Sequence, residues 1–530
     1  MQTIQILWVD DEVDLLKPHF LFLQSRGYQT HPCTNGQEAL SMVKQQHFDV
    51  VLLDENMPGL NGLETLTLLK TEHPNLPVIM VTKNEEEHIM EEAIGSKISD
   101  YLIKPVNPNQ ILLSLKKTLD HQSLITEKTT FNYQKEFQKI SLELMDINTF
   151  EEWTTFYKKL VFWELELQNL DDSSMSEIFE NQLKEANALF GKFIEQNYLD
   201  WMEDQQTAPL LSHKVFKNKV FPRLQKNTPT LLLVIDNLRW DQWKTIEPLL
   251  NKYYQKEEET VHYSILPTAT QYARNAFFAG LTPAEIKKHY PQYWKDDNEE
   301  GRKNLYEEAL LQLQLERLHA DFKANYVKVT NLKATKSLSD TLRKNKNEVL
   351  TAVVYNFVDM ISHAKSEMEI IKELASDNKG YRSLTESWFK NSPLIEALQV
   401  AQKENYNIIL TTDHGTINVT SPLEVVGDKE TSMNLRYKTG RNLKYPKKKV
   451  LEVNNPEAAH LPNLSINSKF IFAKEANYFV YPQNYHHFAN LFQNTYQHGG
   501  LSPCGNLKTI WQRRLCYHKA VVTRRIERAG

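Results

Sequence analysis

The amino-terminal part of the chain alternates short apolar runs with amphipathic stretches, and this order limits the fold more than any other feature. The apolar runs read IQILWV, FDVVLLD, LPVIMVT and SDYLI, with helix-like stretches such as EALSMVKQ between them. Alternation of this kind predicts a parallel sheet with helices on both faces. Functional groups collect at the carboxyl ends of the strands in such sheets. The residues at the ends of these runs should therefore lie together.

Those residues are a cluster of carboxylates with one hydroxyl and one ammonium: Asp10, Asp11, Asp54, Thr82 and Lys104. A carboxylate cluster can hold a hard divalent cation such as magnesium and leave Asp54 free to attack a phosphoryl group. Any one acidic residue could equally cap a helix or solvate a loop. The ordered set, rather than any single member, indicates a site that accepts a phosphoryl group.

The motifs VDDE, LLDENMPGLNG, VT and YLIKP follow the order and approximate spacing of receiver domains, so residues 1–120 resemble that family. The resemblance implies a flavodoxin-like doubly wound fold, in a two-component response regulator that a sensor histidine kinase phosphorylates on Asp54. It also implies magnesium bound by Asp11, Asp54 and the Asn56 carbonyl. Asp10 would complete the acidic pocket.

The same resemblance implies a conformational switch. Thr82 and Tyr101 would form it, and Lys104 would contact the phosphate. Phosphorylation adds about two negative charges, which would draw Thr82 inward and repack Tyr101. Homodimerisation through the face that leads to the last helix is the expected consequence.

The middle of the chain, residues 121–225, loses the strand pattern. Runs such as FEEWTTFYKKLVFWELEL place apolar residues at three- and four-residue intervals, which predicts helices. We predict a helical bundle that links the two ends of the chain. Trp153, Trp163 and Trp201 could form an aromatic ligand site, but their helical spacing favours a place in the core.

A second ordered set of polar residues follows residue 226. The segments that carry it are TLLLVID, PTAT, DMISH, TDHG and QHGG. They contribute Asp236, Thr270, Asp359, His363, Asp413, His414 and His498. Most of these residues end an apolar run or stand four residues apart on a helix, and their oxygen and nitrogen donors suit two zinc-like cations. This part of the chain predicts another α/β sheet with a metal centre at its strand ends.

The order of these segments resembles the alkaline phosphatase superfamily, and VIDNLRWDQW, LPTATQYARN and LRYKTGRNL resemble its PglZ branch over residues 226–500. The resemblance implies two zinc ions. One would be held by Asp236, Thr270, Asp413 and His414. The other would be held by Asp359, His363 and His498.

Thr270 would be the nucleophile of such an enzyme. A zinc ion lowers the pKa of a bound hydroxyl, and a second zinc ion stabilises the leaving oxygen and later activates water. A phosphothreonine would form and then hydrolyse. Thr268 offers a competing hydroxyl, although the superfamily pattern favours Thr270. A sulfatase would need a cysteine or serine at this position, so phosphate chemistry is favoured.

The class of substrate depends on charges that bind the free phosphate oxygens. Arg274, Asn275, Arg436 and Lys438 are candidates, and each could equally be ordinary helix or loop surface. The basic run KTGRNLKYPKKK is usually a solvated face, but it could guide a polyanion to a nearby site. A nucleotide or short oligonucleotide phosphodiester is the predicted substrate, and the choice between monoester and diester stays open.

A receiver joined to a PglZ-type output resembles response regulators associated with type IX secretion. The principal hypothesis is a phosphorylation-controlled metallohydrolase. A second hypothesis makes the output a protein-binding module for a transcription (sigma) factor, with zinc in a structural role. The net charge of −5 and the lack of a helix-turn-helix signature argue against binding to duplex DNA. No apolar run approaches the ~20 residues of a membrane span, so a cytoplasmic location is predicted.

The last segment, residues 501–530, departs from the PglZ pattern. It is basic and carries two of the three cysteines, whereas an acidic closing strand is usual for that branch. We predict that it is an atypical tail outside the output domain. Loss of the closing strand would then weaken the structure near His498.

Overall fold

The structure is a computed structural model that describes residues 4–74, 76–83, 98–168, 173–204, 208–375, 377–428, 431–465 and 467–513. The chain divides into two compact units, residues 1–136 and 137–530. Among the described residues, no helix combines the length and the apolar character that crossing a membrane requires.

The first unit contains a five-stranded parallel sheet with the order β2-β1-β3-β4-β5. Its central strand β3 is buried at every position because both faces are covered, as its continuous apolar run predicts. The predicted doubly wound receiver fold is confirmed. The bounds of its elements are β1 Ile4–Val9, α1 Lys17–Gln24, β2 Tyr28–Cys33, α2 Gly36–Gln45, β3 Val50–Asp54, α3 Gly62–Glu72, β4 Val78–Thr82, β5 Asp100–Ile103 and α4 Pro108–Asp146.

The linker is helical, as predicted. Helix α4 begins in the first unit and ends in the second, so the predicted boundary at residue 120 falls inside a helix. Helices α5 Phe150–Leu167 and α6 Ser173–Glu203 follow. A capping box between Thr149 and Glu152 fixes the start of α5.

The three linker tryptophans are buried, as their helical spacing predicts. The ring of Trp153 lies 5.2 Å from that of Phe190 on α6, and Trp201 lies 5.5 Å from Tyr263 of the output domain. These contacts make the linker helices part of the second unit's core rather than a ligand site.

The output domain is built on a six-stranded sheet with the order β7-β18-β10-β6-β9-β8. Strands β10, β6, β9 and β8 run parallel, and β18 runs antiparallel to both of its neighbours. The main elements are α7 Ser212–Val215, β6 Thr230–Ile235, α8 Trp240–Asn251, β7 Glu258–Tyr263, α9 Thr270–Ala279, α10 Pro283–His289, α11 Glu307–Arg317, β8 Ala324–Val329, α12 Leu332–Lys344, β9 Leu350–Tyr355, α13 Phe357–Glu367, α14 Glu369–Leu374, α15 Asn378–Asn391, α16 Pro393–Lys403 and β10 Asn407–Thr411.

Smaller sheets follow β10, before the chain returns to the main sheet. Strand β13 pairs with β15, which also pairs with β14, while β11 pairs with β17 and β12 with β16. The bounds are β11 Ile417–Val419, β12 Ser421–Glu424, β13 Tyr437–Gly440, β14 Val450–Val453, β15 Lys469–Ala473, β16 Asn477–Val480, α17 Tyr485–Phe492, β17 Thr495–Gln497, α18 Pro503–Asn506 and β18 Leu507–Arg513. Short 3-10 and π turns also occur between some of these elements.

The prediction that a tail begins at residue 501 is wrong. Strand β18 lies inside the main sheet, and Trp511 is fully buried with its ring 5.2 Å from that of Trp243. The basic composition concealed this strand because Lys508 and Gln512 are buried and hydrogen-bonded inside the fold. Lys508, for example, donates to the Cys504 carbonyl at 2.5 Å. Residues 514–530, with Cys516, lie outside the described residues.

Replacing Trp511 with alanine should destabilise the output domain by about 3–5 kcal/mol, because the substitution leaves a cavity in a closely packed core. Leu332→Ala is a suitable control, since that side chain is 61% exposed and should cost less than about 1 kcal/mol. Chemical denaturation followed by circular dichroism measures both. A loss for Trp511→Ala no larger than the control would contradict the position of β18.

Candidate functional site

The receiver brings its predicted acidic residues together. Ligand oxygens of Asp10, Asp11 and Asp54 all lie within 4.8 Å of one another at the ends of β1 and β3. The Lys104 ammonium lies 2.7 Å from Asp10 and 3.0 Å from Asp54. Burial raises the pKa of Asp54, and the nearby ammonium opposes that shift. Asn56 is exposed two residues beyond β3. This arrangement can hold a divalent cation beside the Asp54 carboxylate.

The two predicted switch residues lie on adjacent strands. Thr82 ends β4 and is buried, and its hydroxyl donates to the Glu55 carboxylate. Tyr101 on β5 forms a side-chain hydrogen bond with Thr82, and burial raises the pKa of the Tyr101 phenol. Glu55 was not among the residues predicted from the sequence, because no motif singled it out. A phosphoryl group on Asp54 would have to compete with Glu55 for the Thr82 hydroxyl.

The output domain assembles one predicted metal set at the carboxyl ends of two adjacent strands. Asp236 follows β6, and Asp413 and His414 follow β10, which pairs with β6. Their ligand atoms lie within 4.8 Å of one another, and all three residues are buried. The His414 Nε2 atom is 3.5 Å from Asp236 and 3.6 Å from Asp413.

The second predicted set comes from α13 and from the loop after β17. Asp359 and His363 stand one turn apart on the helix, with 3.5 Å between His363 Nε2 and the Asp359 carboxylate. Ligand atoms of these two residues and of His498 also lie within 4.8 Å of one another. The His498 ring is centred 4.6 Å from that of His414, so the two sets adjoin.

Thr270 is the first residue of α9 and is partly exposed, with its hydroxyl 3.0 Å from His414 Nε2. Thr268 is buried instead. Its hydroxyl donates to the Gly500 carbonyl and accepts from the Gly499 amide, each at 3.0 Å. Of the two hydroxyls in PTAT, that of Thr270 faces the histidine of the site.

The carboxylates of Asp236, Asp359 and Asp413 lie close together and repel one another. A buried arginine offsets part of that repulsion. Arg274, one turn beyond Thr270 on α9, lies 2.7 Å from Asp236 and 3.5 Å from Asp413. Its Nε atom donates to Glu307 at 2.7 Å. Burial raises the pKa of Asp236, and the Arg274 charge opposes that shift. Glu307 lies 33 residues beyond Arg274 in the chain, and nothing in the sequence connects the two.

Neutral side chains also support the carboxylates. Asn356 donates to Asp236 at 2.8 Å, and Asn237 donates to Asp359 at 3.2 Å. Burial lowers the pKa of His414 to about 3, so its imidazole is neutral at physiological pH. A neutral imidazole is the form that binds a metal ion.

The donor atoms of this site suit metal ions. Within the described residues, four buried side-chain atoms of the two sets have no hydrogen-bond partner: Asp236 Oδ1, Asp413 Oδ2, His414 Nδ1 and His498 Nδ1. Buried polar atoms without partners are rare and call for an explanation. Carboxylate oxygens and imidazole nitrogens are common zinc ligands, so the residues present fit the expected cations.

The structure buries all four polar residues that were predicted to contact the substrate: Arg274, Asn275, Arg436 and Lys438. Asn275 donates to the Lys303 carbonyl at 3.1 Å, and Arg436 donates to the Leu501 carbonyl at 3.0 Å. Lys438 donates to the Ser432 carbonyl at 2.8 Å and lies over the Tyr481 ring. These contacts lie inside the fold, and the four side chains present almost no surface to solvent.

Fold and site together define a response regulator whose receiver is joined to an alkaline phosphatase-like domain. Residues 6–116 match the family model of the response regulator receiver domain, and residues 123–202 match that of the PorX response regulator linker domain. Residues 215–504, more than half of the chain, match the BREX system PglZ alkaline phosphatase-like domain. The chain belongs to this PglZ family, and its three domains have the PorX-like order.

Two curated transcriptional regulators are similar to part of the chain. The chain is 34% identical over 129 residues to the transcriptional regulatory protein ZraR of Klebsiella oxytoca, covering 24% of this chain and 29% of that protein. It is 33% identical over 115 residues to SrrA of Staphylococcus aureus, covering 22% and 47%. The chain thus spans less than half the length of these relatives.

Solved structures of receiver domains are similar to about a fifth of the chain. The chemotaxis protein CheY4 of Vibrio cholerae is 28% identical, covering 22% of this chain and 100% of that chain, with a TM-score of 0.22. The receiver domain of NtrX from Brucella abortus is 30% identical, covering 22% and 98%, with a TM-score of 0.21.

Replacing Arg274 with methionine should destabilise the metal-free protein by about 3–5 kcal/mol, because the buried carboxylates of Asp236, Asp413 and Glu307 then lose the counterion that they share. Arg343→Met is the matched control. Arg343 is 53% exposed and pairs with the exposed Asp340, so its loss should cost at most about 1 kcal/mol. Urea unfolding with a chelator present measures both changes. Equal losses for the two variants would show that Arg274 is not needed to neutralise the site.

Proposed function

We propose that this protein is a phosphorylation-controlled, zinc-dependent phosphodiesterase that acts on nucleotides or short oligonucleotides. The main support for this proposal is that two sets of Asp and His ligands adjoin one another beside the Thr270 hydroxyl. They lie at the strand ends of an alkaline phosphatase-like domain.

Each residue set has a role in this proposal. Asp236, Asp413 and His414 would hold one zinc ion together with Thr270, and the other set would hold the second: Asp359, His363 and His498. Two zinc ions would supply positive charge to the attacking and leaving oxygens of an in-line displacement and would lower the pKa of a bound hydroxyl or water. Arg274 and Asn356 fix the orientation of the Asp236 carboxylate from the protein side.

Thr270 is the proposed nucleophile. Because Thr270 is the first residue of α9, phosphoryl oxygens bound beside it would face a helix amino terminus, which favours anions. The hydroxyl of Thr268 is already engaged with Gly499 and Gly500, which supports Thr270 over its neighbour. His414, neutral and 3.0 Å away, can orient the Thr270 hydroxyl.

A diester is the proposed substrate class because its phosphate carries less charge than that of a monoester. The four cationic or amide groups first considered as phosphate contacts are buried, which disfavours them as partners for the additional charge of a monoester. Lys447, Lys448 and Lys449 lie on an exposed turn. Such a basic surface supports a polyanionic substrate such as an oligonucleotide.

Regulation would begin in the receiver. A sensor histidine kinase would phosphorylate Asp54, with magnesium held by the acidic pocket, and the phosphorylated receivers would dimerise. Receiver, PorX-type linker and PglZ-type output occur together in this chain, which supports a role in regulating type IX secretion.

Replacing Thr270 with valine should lower zinc-dependent hydrolysis of bis(p-nitrophenyl) phosphate by at least about 10³-fold, because the isosteric side chain lacks the nucleophilic oxygen. Thr270→Ser keeps a hydroxyl and should retain much of the activity. Steady-state rates for both variants, with and without a chelator, test the proposal. Hydrolysis that survives both Thr270→Val and chelation would rule out this mechanism.

Replacing Asp54 with asparagine should abolish phosphorylation by acetyl phosphate in the presence of magnesium, since an amide cannot form the acyl phosphate. Asp14→Asn is the control, because Asp14 is exposed and outside the acidic cluster. Phosphate-affinity electrophoresis separates the two forms. Equal phosphorylation of the Asp54→Asn variant and the wild type would assign the phosphoacceptor to another residue.

A further inference from the structure

A buried arginine joins the linker to the output domain. Arg382, on α15, is almost fully buried. Its Nη1 atom donates to Glu164 at 2.5 Å, and its Nε and Nη2 atoms donate to Gln168 Oε1 at 3.1 and 2.8 Å. Glu164 and Gln168 stand one turn apart at the carboxyl end of linker helix α5. The linker thus supplies two of the acceptors that bind this guanidinium.

The contact continues towards the metal centre through a second buried arginine. The Asp241 carboxylate accepts from Arg382 at 3.0 Å and from Arg239 Nε at 2.8 Å. Asn378 forms a parallel connection, because its Nδ2 atom donates to Glu164 at 3.3 Å and its Oδ1 atom accepts from Arg239 Nη1 at 2.9 Å. We give the name support network to six residues: Glu164, Gln168, Arg239, Asp241, Asn378 and Arg382.

The support network reaches the segments that carry three metal ligands. Arg239 stands three residues after Asp236, in the turn that follows β6. Tyr496, two residues before His498, donates to Asn378 Oδ1 at 3.1 Å.

The third segment is reached through stacked rings. Tyr381 lies one residue before Arg382 and stacks on Tyr496, with 4.1 Å between the ring centres. Its hydroxyl donates at 3.2 Å to the carbonyl of Val358, the residue that precedes Asp359. The Arg239 guanidinium lies over both rings, at 5.5 and 5.4 Å.

The charges of the support network balance only when the carboxylate of the linker residue Glu164 is counted. Two arginines and Asp241 alone would leave one net positive charge in the interior, and the Glu164 carboxylate neutralises it. An unbalanced buried charge shifts its neighbours or draws in water. In the support network, such a shift would move side chains that contact the segments carrying the metal ligands.

We propose that Glu164 and Gln168 are positioning residues for the metal site: linker helix α5 holds Arg382, and through the support network it sets the geometry of the segments that carry Asp236, Asp359 and His498. The linker would then be part of the support of the active site rather than a spacer. This inference rests on the proposed zinc-binding function of those segments.

The test compares zinc binding by the full chain and by three variants. Glu164→Gln keeps the shape of the side chain and removes its charge. Gln168→Ala removes one acceptor of Arg382 and is the milder change if the first variant folds poorly. Glu166→Gln is the matched control, because Glu166 lies on the same helix and is exposed.

Competition with a chromogenic chelator gives the zinc affinity, and the absorption spectrum of the cobalt-substituted protein reports ligand geometry. We expect Glu164→Gln to lower zinc affinity by about tenfold, as loss of supporting contacts around a metal does, and to change the cobalt spectrum at saturating metal. Gln168→Ala should show a smaller effect in the same direction. Glu166→Gln should match the wild type.

Unfolding curves separate positioning from general destabilisation. A changed cobalt spectrum in a Glu164→Gln or Gln168→Ala protein that remains folded supports the proposal. Wild-type affinity and spectrum in both variants would overturn it, while zinc-dependent hydrolysis by the wild type would leave the proposed function intact. A wild-type protein that binds no zinc would instead overturn the proposed function, and this inference with it.

Discussion

The output domain depends on a charge balance at the end of its main sheet. Parallel strands bring the carboxylates of Asp236 and Asp413 to the same edge, where their ligand atoms come within 4.8 Å of each other and of His414. That proximity is unfavourable without positive charge. Arg274, which also pairs with Glu307, supplies part of that charge, and bound metal ions would add to it. Helix α9 therefore carries both the Thr270 hydroxyl and the cation that lets the neighbouring carboxylates approach one another.

The sequence predicted the parts of each site that follow from topology. Asp54 and Asp236 could be identified because a polar residue that ends a buried apolar run lies at the functional edge of a parallel sheet. Asp359 and His363 could be identified because a spacing of four residues on a helix puts two side chains on the same face. The receiver fold and the helical linker followed from the same periodicities, and the structure agrees with them.

The features that the sequence did not reveal depend on long-range partners. A lysine or arginine near a phosphatase motif looks like a substrate contact until its acceptors are known. For Lys438 and Arg436 those acceptors are backbone carbonyls brought close by the small sheets. Strand β18 was missed for the same reason, because Lys508 reads as a surface residue until its bond to the Cys504 carbonyl is seen. Composition alone cannot distinguish a solvated charge from one that is satisfied inside the fold.

Both acidic sites of this chain place a cation beside neighbouring carboxylates, but the two cations differ in their exposure to solvent. In the receiver, the Lys104 side chain is 15% exposed and pairs with Asp10 and Asp54 at the rim of the pocket, so it can exchange a carboxylate for an incoming phosphoryl group. In the output domain, Arg274 is fully buried and pairs with Asp236 and Glu307. A guanidinium in that position can orient ligands but cannot reach a substrate. If Lys104 contacts phosphate and Arg274 supports metal ligands, as we propose, the depth of the cation distinguishes the two roles, although both sites place it beside a carboxylate at a strand end.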